Sequence, residues 1–192
     1  MPKTNKVEFG LKNVHVAEWT EADGVATIGT PEKINGAVDM SIDVTASEKK
    51  FHADDIVYYV FSTISGRSAN LTMALFPDAF KIKYLGYKVD TKGGVVKIDN
   101  AKPKPFVLIF EGDGDAHKVR HLLFNCVPGN IQRGHKTVED EPDVETEVLA
   151  MTVVGTQVDS DQVAHVYYSQ DTAGYATAIT APTLPEFTTE GG

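Results

Sequence analysis

Residues 104–126 read KPFVLIFEGDGDAHKVRHLLFNC, and the fold turns on how this stretch folds back on itself. Residues 105–110 are apolar and rich in strand-forming side chains, residues 111–115 are acidic and carry two glycines, and residues 119–126 are apolar again. A chain reverses readily at glycines placed between two such runs, so the stretch predicts two long antiparallel strands joined by a short acidic turn. Neither strand alternates between apolar and polar residues, which fits strands covered on both faces in the middle of a packed sheet. This hairpin is the expected centre of the core.

The segments around it carry other signals. Val38, Met40, Ile42 and Val44 alternate with Asp39, Ser41, Asp43 and Thr45, and Leu71, Met73 and Leu75 alternate with Asn70, Thr72 and Ala74. Period-2 alternation marks half-buried strands with one wet face. Between them, the charged residues 47–55 (SEKKFHADD) read as a loop, residues 56–61 (IVYYVF) as a short strand, and residues 62–69 as a Gly and Ser loop. Residues 6–19 predict a long strand with an irregularity near residues 10–13. Residues 77–86 (PDAFKIKYLG) form the one convincing helix, with Pro and Asp at its start and Gly just past its end. Phe80, Tyr84 and Leu85 then make a stripe that packs on a sheet.

Further along, residues 87–98 predict a hairpin turning at Lys92-Gly93-Gly94, and residues 127–142 a polar connection longer than usual. Residues 144–154 predict a strand, with Asp143, Glu145 and Glu147 on one face and Val144, Thr146 and Val148 on the other. Residues 163–168 predict a last strand. About nine strands and one helix make the chain mainly β, a β-sandwich or barrel with one flanking α-helix. With 192 residues, 42% of them hydrophobic, one core is the expectation, so residues 1–192 read as a single domain with an N-terminal arm at 1–7 and a C-terminal tail at 172–192.

Composition narrows the function. The single cysteine, Cys126, sits inside a predicted strand and has no partner for an intramolecular disulfide. No leader-like apolar segment opens the sequence, and no run approaches the ~20 apolar residues of a membrane helix, so no membrane role is expected. The net charge of -9 is unevenly placed. Residues 81–104 hold seven lysines against Asp90 and Asp99, whereas residues 139–192 hold eleven acids and no Lys or Arg. A chain polarised in this way suits head-to-tail contacts between identical subunits.

Catalytic and cofactor patterns are missing. The sequence has no G-x-S-x-G elbow and no P-loop, and Gly112-Asp113-Gly114 lacks a third glycine and leads into a strand rather than a helix. No enzyme activity and no cofactor are expected. Glu111, Asp113 and Asp115 resemble the opening of a calcium loop, but Phe124 stands where the closing glutamate belongs. His117 and His121 on one strand would lie about 13 Å apart, too far for one metal ion. The negative charge disfavours tight binding of nucleic acid.

Four segments, VEFGLKNVHVAEWTEADG (7–24), LFPDAFKIKYLG (75–86), the hairpin 104–126 and TVEDEPDVETEVLAMTV (137–153), together resemble the major tail proteins of long-tailed, non-contractile bacteriophages. The resemblance runs in order over most of residues 6–170. It implies the phage tail tube fold, a virion protein made in the host bacterial cytoplasm, and homo-oligomeric rings, hexameric in such families, that stack into a tube. The partners it implies are a tape-measure protein and tail completion or tip proteins, with genomic DNA passing through the lumen during ejection without tight binding. On this reading Asp39, Asp43, Asp143, Glu145 and Glu147 are candidate lumen-facing acids. Lys3, Lys6, Lys49, Lys50, Asp54, Lys92, Lys97, Asp113 and Asp115 are candidate subunit-interface residues. The alternative is a β-sandwich module that binds a carbohydrate or a receptor and forms no tube.

Overall fold

The computed structural model describes residues 4–135, 137 and 144–187. In chain order the strands are β1 (Glu8–Ala22), β2 (Val25–Ile28), β3 (Glu32–Lys33), β4 (Ala37–Ala53) and β5 (Ile56–Met73), followed by helix α1 (Asp78–Leu85). Then come β6 (Lys88–Val89), β7 (Val95–Val96), β8 (Phe106–Gly114), β9 (Val119–Arg133), β10 (Glu147–Val153), β11 (Thr156–Val158), β12 (Asp161–Val163), β13 (His165–Ser169) and the short helix α2 (Ala173–Thr177). Nine strands share one antiparallel sheet in the order β2-β1-β8-β9-β10-β5-β4, with β3 added on β1 and β13 on β9. The expected mainly β architecture is found, with two helices among the described residues rather than one.

The hairpin of β8 and β9 lies at the middle of this sheet and is covered on both faces. Phe106 and Leu108 face one core with Val16, Leu71, Phe80, Leu123 and Leu149, while Val107 and Ile109 face a second with Trp19, Leu122, Phe124 and Ala178. Each such side chain contributes about 1.5–3 kcal/mol on full burial. Strict alternation would send Cys126 to the same side as Phe124. The left-handed φ of 47° at Asn125 and the register shift opposite Phe106/Leu108 insert one extra residue and turn Cys126 into the first core. The turn itself differs from expectation. β8 continues through Gly114, so Glu111 belongs to a strand and is buried, and the reversal falls at residues 115–118.

Helix α1 closes the first core. Gly86 ends it at φ 72°, and the Tyr87 N–H donates to the Lys81 carbonyl at 3.2 Å, so the last turn has its acceptor satisfied. A Cβ at Gly86 would lie 2.9 Å from Ala101, so glycine is needed for space as well as for conformation. Phe80, Tyr84 and Leu85 are buried as a stripe against Phe76 and Phe106. The irregularity expected in the first strand is present: Gly10 and Asn13 have φ of 71° and 52°, and the register with β8 shifts on both sides of Lys12.

Four segments depart from the sequence reading. Residues 47–53 and 62–69 are strand, leaving only Asp54-Asp55 as a turn, and make β4 and β5 a single hairpin of 17 and 18 residues. Residues 144–146 precede β10, and the inward face of β10 is Glu147, Leu149, Met151 and Val153, the opposite phase to the one expected. The C-terminal tail packs over the second core as far as Leu184: Ala178 is buried and Ile179 and Leu184 pack beside it. These few apolar side chains lie scattered in a Thr, Ala and Pro background, which is why the sequence reads as a free tail.

Candidate assembly surface

The β4–β5 hairpin reaches well past the cores. Its turn is the two-residue loop Asp54-Asp55, with φ of 51° and 61°, the left-handed geometry whose twist matches a hairpin and which Asp tolerates better than most residues. β5 pairs with β10 only through residues 68–73, and β4 ends the sheet path. Residues 56–67 of β5 and the outer side of β4 therefore carry ladder groups with no strand partner among the described residues. Apart from half-buried Ala53, every residue from 43 to 66 is exposed. They include Val44, Phe51, Ile56, Val57, Tyr58, Tyr59, Val60, Phe61 and Ile64. Unpaired strand edges beside exposed apolar side chains are a template for further chains.

Register fixes which side chains share a face. At the root, Asp39 stands opposite Thr72, Ser41 opposite Asn70 and Asp43 opposite Ser68, with Asn70 Nδ2 donating to Ser41 Oγ at 3.4 Å. The wet face of these strand pairs has two carboxylates and no cation. Lys49, Lys50 and Asp54 lie farther out on the hairpin and are exposed, as are Lys92 in the β6–β7 turn and Lys97 just after β7. Lys3 and Asp143 lie outside the described residues.

The other candidates make contacts within the subunit. Glu147, expected on a wet face, is buried: Oε2 accepts the Phe76 N–H at 2.7 Å and Oε1 accepts from Lys81 Nζ at 3.1 Å. It ties α1 to β10 and cannot line a channel. Glu145 is half-buried, 3.0 Å from His135. Asp113 pairs with Lys12. Asp115 accepts the Lys6 backbone N–H at 2.7 Å. Beside it, Asn5 accepts from the Ala116 and His117 N–H groups and donates to the His117 carbonyl, so residues 5–6 of the expected arm are pinned to the β8–β9 turn.

Two polar clusters bind the sheet to its neighbours. Glu111 is 1% exposed and accepts from Arg120 Nε at 2.8 Å, Tyr175 Oη at 2.8 Å and Asn13 Nδ2 at 3.2 Å. Burial raises its pKa, but these hydrogen bonds and the Arg120 charge outweigh that and hold it below the usual carboxylate value. Arg120 also donates to the Tyr175 carbonyl and stacks 3.7 Å from the Tyr175 ring centre, which fastens the C-terminal segment.

The second cluster joins histidines 44 residues apart. His121 Nδ1 lies 3.1 Å from His165 Nε2, and His121 Nε2 lies 3.2 Å from Glu8 Oε2, with Phe110 stacked on His121. With both rings neutral, one assignment satisfies both contacts: His165 Nε2–H donates to His121, and His121 Nε2–H donates to Glu8. Among the described residues no three His, Cys, Asp or Glu side chains are grouped to hold a metal ion. Burial lowers both histidine pKa values, His165 to about 4 with His121 and Arg67 adding to the shift, and Glu8 partly offsets the effect at His121.

A histidine that resists protonation in the folded state stabilises above its unfolded pKa of about 6.5, and that contribution fades as the pH falls toward the folded value. The thermal midpoint is therefore expected to drop between pH 7 and pH 5, above the range where most carboxylates titrate. His165→Gln should flatten that slope. A parallel slope in the variant, followed by circular dichroism, would remove the histidine pair as its cause.

No protein-family model matches the sequence, and no curated protein does. Among solved structures, the chain is similar to one from the sheath–tube complex of an extracellular contractile injection system in its extended state, with 11% identity and a TM-score of 0.47, covering 82% of this chain and 88% of that one. It is also similar to a chain of the anti-feeding prophage cap, a tube-terminating cap, with 9% identity and a TM-score of 0.45, covering 87% and 96%. Among the described residues, no helix is long and apolar enough to cross a membrane.

Proposed function

We propose that this protein is a structural subunit that assembles with copies of itself into the tube of a tail-like machine. The observation that carries the reading is the β4–β5 hairpin, which holds apolar side chains in water beside two unpaired strand edges. Because β4 and β5 run in opposite directions, a copy related by rotation about the hairpin axis brings its β4 edge antiparallel to the free part of β5. Repeating that contact closes a ring. The four segments that resemble phage major tail proteins point the same way.

The finer reading follows from that resemblance: rings of six, stacked around a tape-measure protein, capped by completion or tip proteins and carried in the virion, with DNA ejected through the lumen. On this reading Asp39 and Asp43 face the lumen, where a wall with carboxylates and no cations lets a phosphate backbone slide rather than adhere. Lys49, Lys50, Asp54, Lys92 and Lys97 meet neighbouring subunits. Electron microscopy and sedimentation of the purified protein at rising concentration test both levels. Rings or tubes are expected, and their reconstruction should place Asp39 and Asp43 on the inner wall. A chain that stays monomeric at every concentration, and binds a glycan instead, would sink the proposal in favour of a ligand-binding module.

A further inference from the structure

Of the seven asparagines, only Asn35 precedes a glycine; the others are followed by Lys, Val, Leu, Ala, Cys or Ile. The Asn35-Gly36 step lies in the connection between β3 and β4, and both residues are exposed. Asn5, Asn13 and Asn70 each commit the side-chain amide nitrogen to a hydrogen bond. The Asn35 amide has no such partner among the described residues, and neither has the Gly36 N–H.

The chain on either side of this step is held. Ile34 is 6% exposed in the first core and its N–H donates to the Val14 carbonyl at 2.9 Å, while the Gly36 carbonyl accepts from the Ala74 N–H at 2.7 Å. Two unengaged groups therefore sit side by side between two fixed ends. Glycine has no side chain to hinder its nitrogen from closing on Asn35 Cγ. The new C–N bond makes a five-membered succinimide, and the side-chain nitrogen leaves as ammonia with the proton that the Gly36 nitrogen gives up. Water then opens the ring. Addition at the side-chain carbonyl leaves an aspartate, whereas addition at the main-chain carbonyl leaves an isoaspartate, whose backbone runs through the side chain and is one methylene longer.

We infer that Asn35 is a self-modification site, where the chain converts by this route to isoaspartate with water as the only co-reactant, and that the added methylene pulls against the Ile34 and Gly36 anchors at the start of β4. The aspartate product keeps the main-chain length and leaves both anchors in place. The reaction needs no second copy, so it stands apart from the self-assembly reading. Its effect is a fold that loosens with age at one rim of the first core.

The test uses the full chain, held at pH 8 and at pH 6 and sampled over time. Tryptic digestion releases residues 34–49, in which Asn35 is the one asparagine. That peptide should gain the mass difference between an amide and an acid, and an isoaspartyl O-methyltransferase supplied with S-adenosylmethionine, used as the probe, should methylate it. Conversion should run at least about tenfold faster than at any other asparagine, and faster at pH 8 than at pH 6 because the Gly36 nitrogen attacks without its proton. The purified isoaspartate form should melt about 2–4 °C below the fresh protein, the shift expected from one lost hydrogen bond in a chain of this size, whereas Asn35→Asp should not. Asn35→Gln should stay unmethylated and keep its midpoint. An Asn35 amide that survives as long as the other six overturns the site, and an isoaspartate form that melts with the fresh protein overturns the strain at β4.

Discussion

A chain in which residues 46–65 are replaced by Asn-Gly, joining Thr45 to Gly66, is expected to fold and to remain monomeric at concentrations where the full chain assembles. Thr45 and Gly66 are already cross-strand partners, and Asn-Gly supplies the left-handed pair that a two-residue hairpin turn requires. None of the deleted residues belongs to either core, so the thermal midpoint should move little. What is lost is the exposed surface of Phe51, Ile56, Val57, Tyr58, Tyr59, Val60, Phe61 and Ile64. Covering each such side chain contributes about 1.5–3 kcal/mol before the cost of association, so no other surface described for this chain offers a comparable driving force. Light scattering and electron microscopy read the result. Tubes formed by the shortened chain would show that assembly does not depend on the hairpin.

Arg120→Leu is expected to destabilise the fold by about 3–5 kcal/mol, the usual cost of leaving a buried charge without its partner. Glu111 is 2% exposed at its side chain and Arg120 12%, so water cannot take the place of the guanidinium. The same substitution removes the hydrogen bond and the ring contact that fasten Tyr175, which loosens the cover over Trp19, Ile109 and Phe124. Adding Glu111→Leu should recover much of the loss, because two apolar side chains leave no buried charge. Because the folded carboxyl pKa is depressed, the contribution of Glu111 in the unaltered protein is present above the unfolded value of about 4.3 and is lost as the pH falls below it. Urea unfolding at pH 7 decides the matter, and a cost under about 1 kcal/mol for Arg120→Leu would mean that Glu111 is not held by this pair.

The amino-acid sequence by itself determined the elements whose local pattern reports their burial. Residues 106–110 and 122–124 are apolar at successive positions because both faces are covered, and Pro77 and Gly86 bracket α1 because a helix accepts Pro only at its start and ends readily in a left-handed residue. Gly10 and Asn13 marked the break in β1 for the same conformational reason. The inward phase of β10 was also legible, in the spacing of Leu149, Met151 and Val153, but the acids before it drew the reading one residue out of step.

Tertiary structure alone decided the rest. The outer half of the β4–β5 hairpin has no buried face in one subunit, so its sequence mixes Lys, Glu and Ser with aromatics and carries no alternation to read. Glu147 could be recognised as buried only once Lys81 and the Phe76 N–H were in place to receive it. His121 and His165 meet because β13 returns to pair with β9, and Glu111 meets Tyr175 because the C-terminal segment folds back over the sheet. Such contacts depend on where distant strands come to rest, and no local periodicity encodes that.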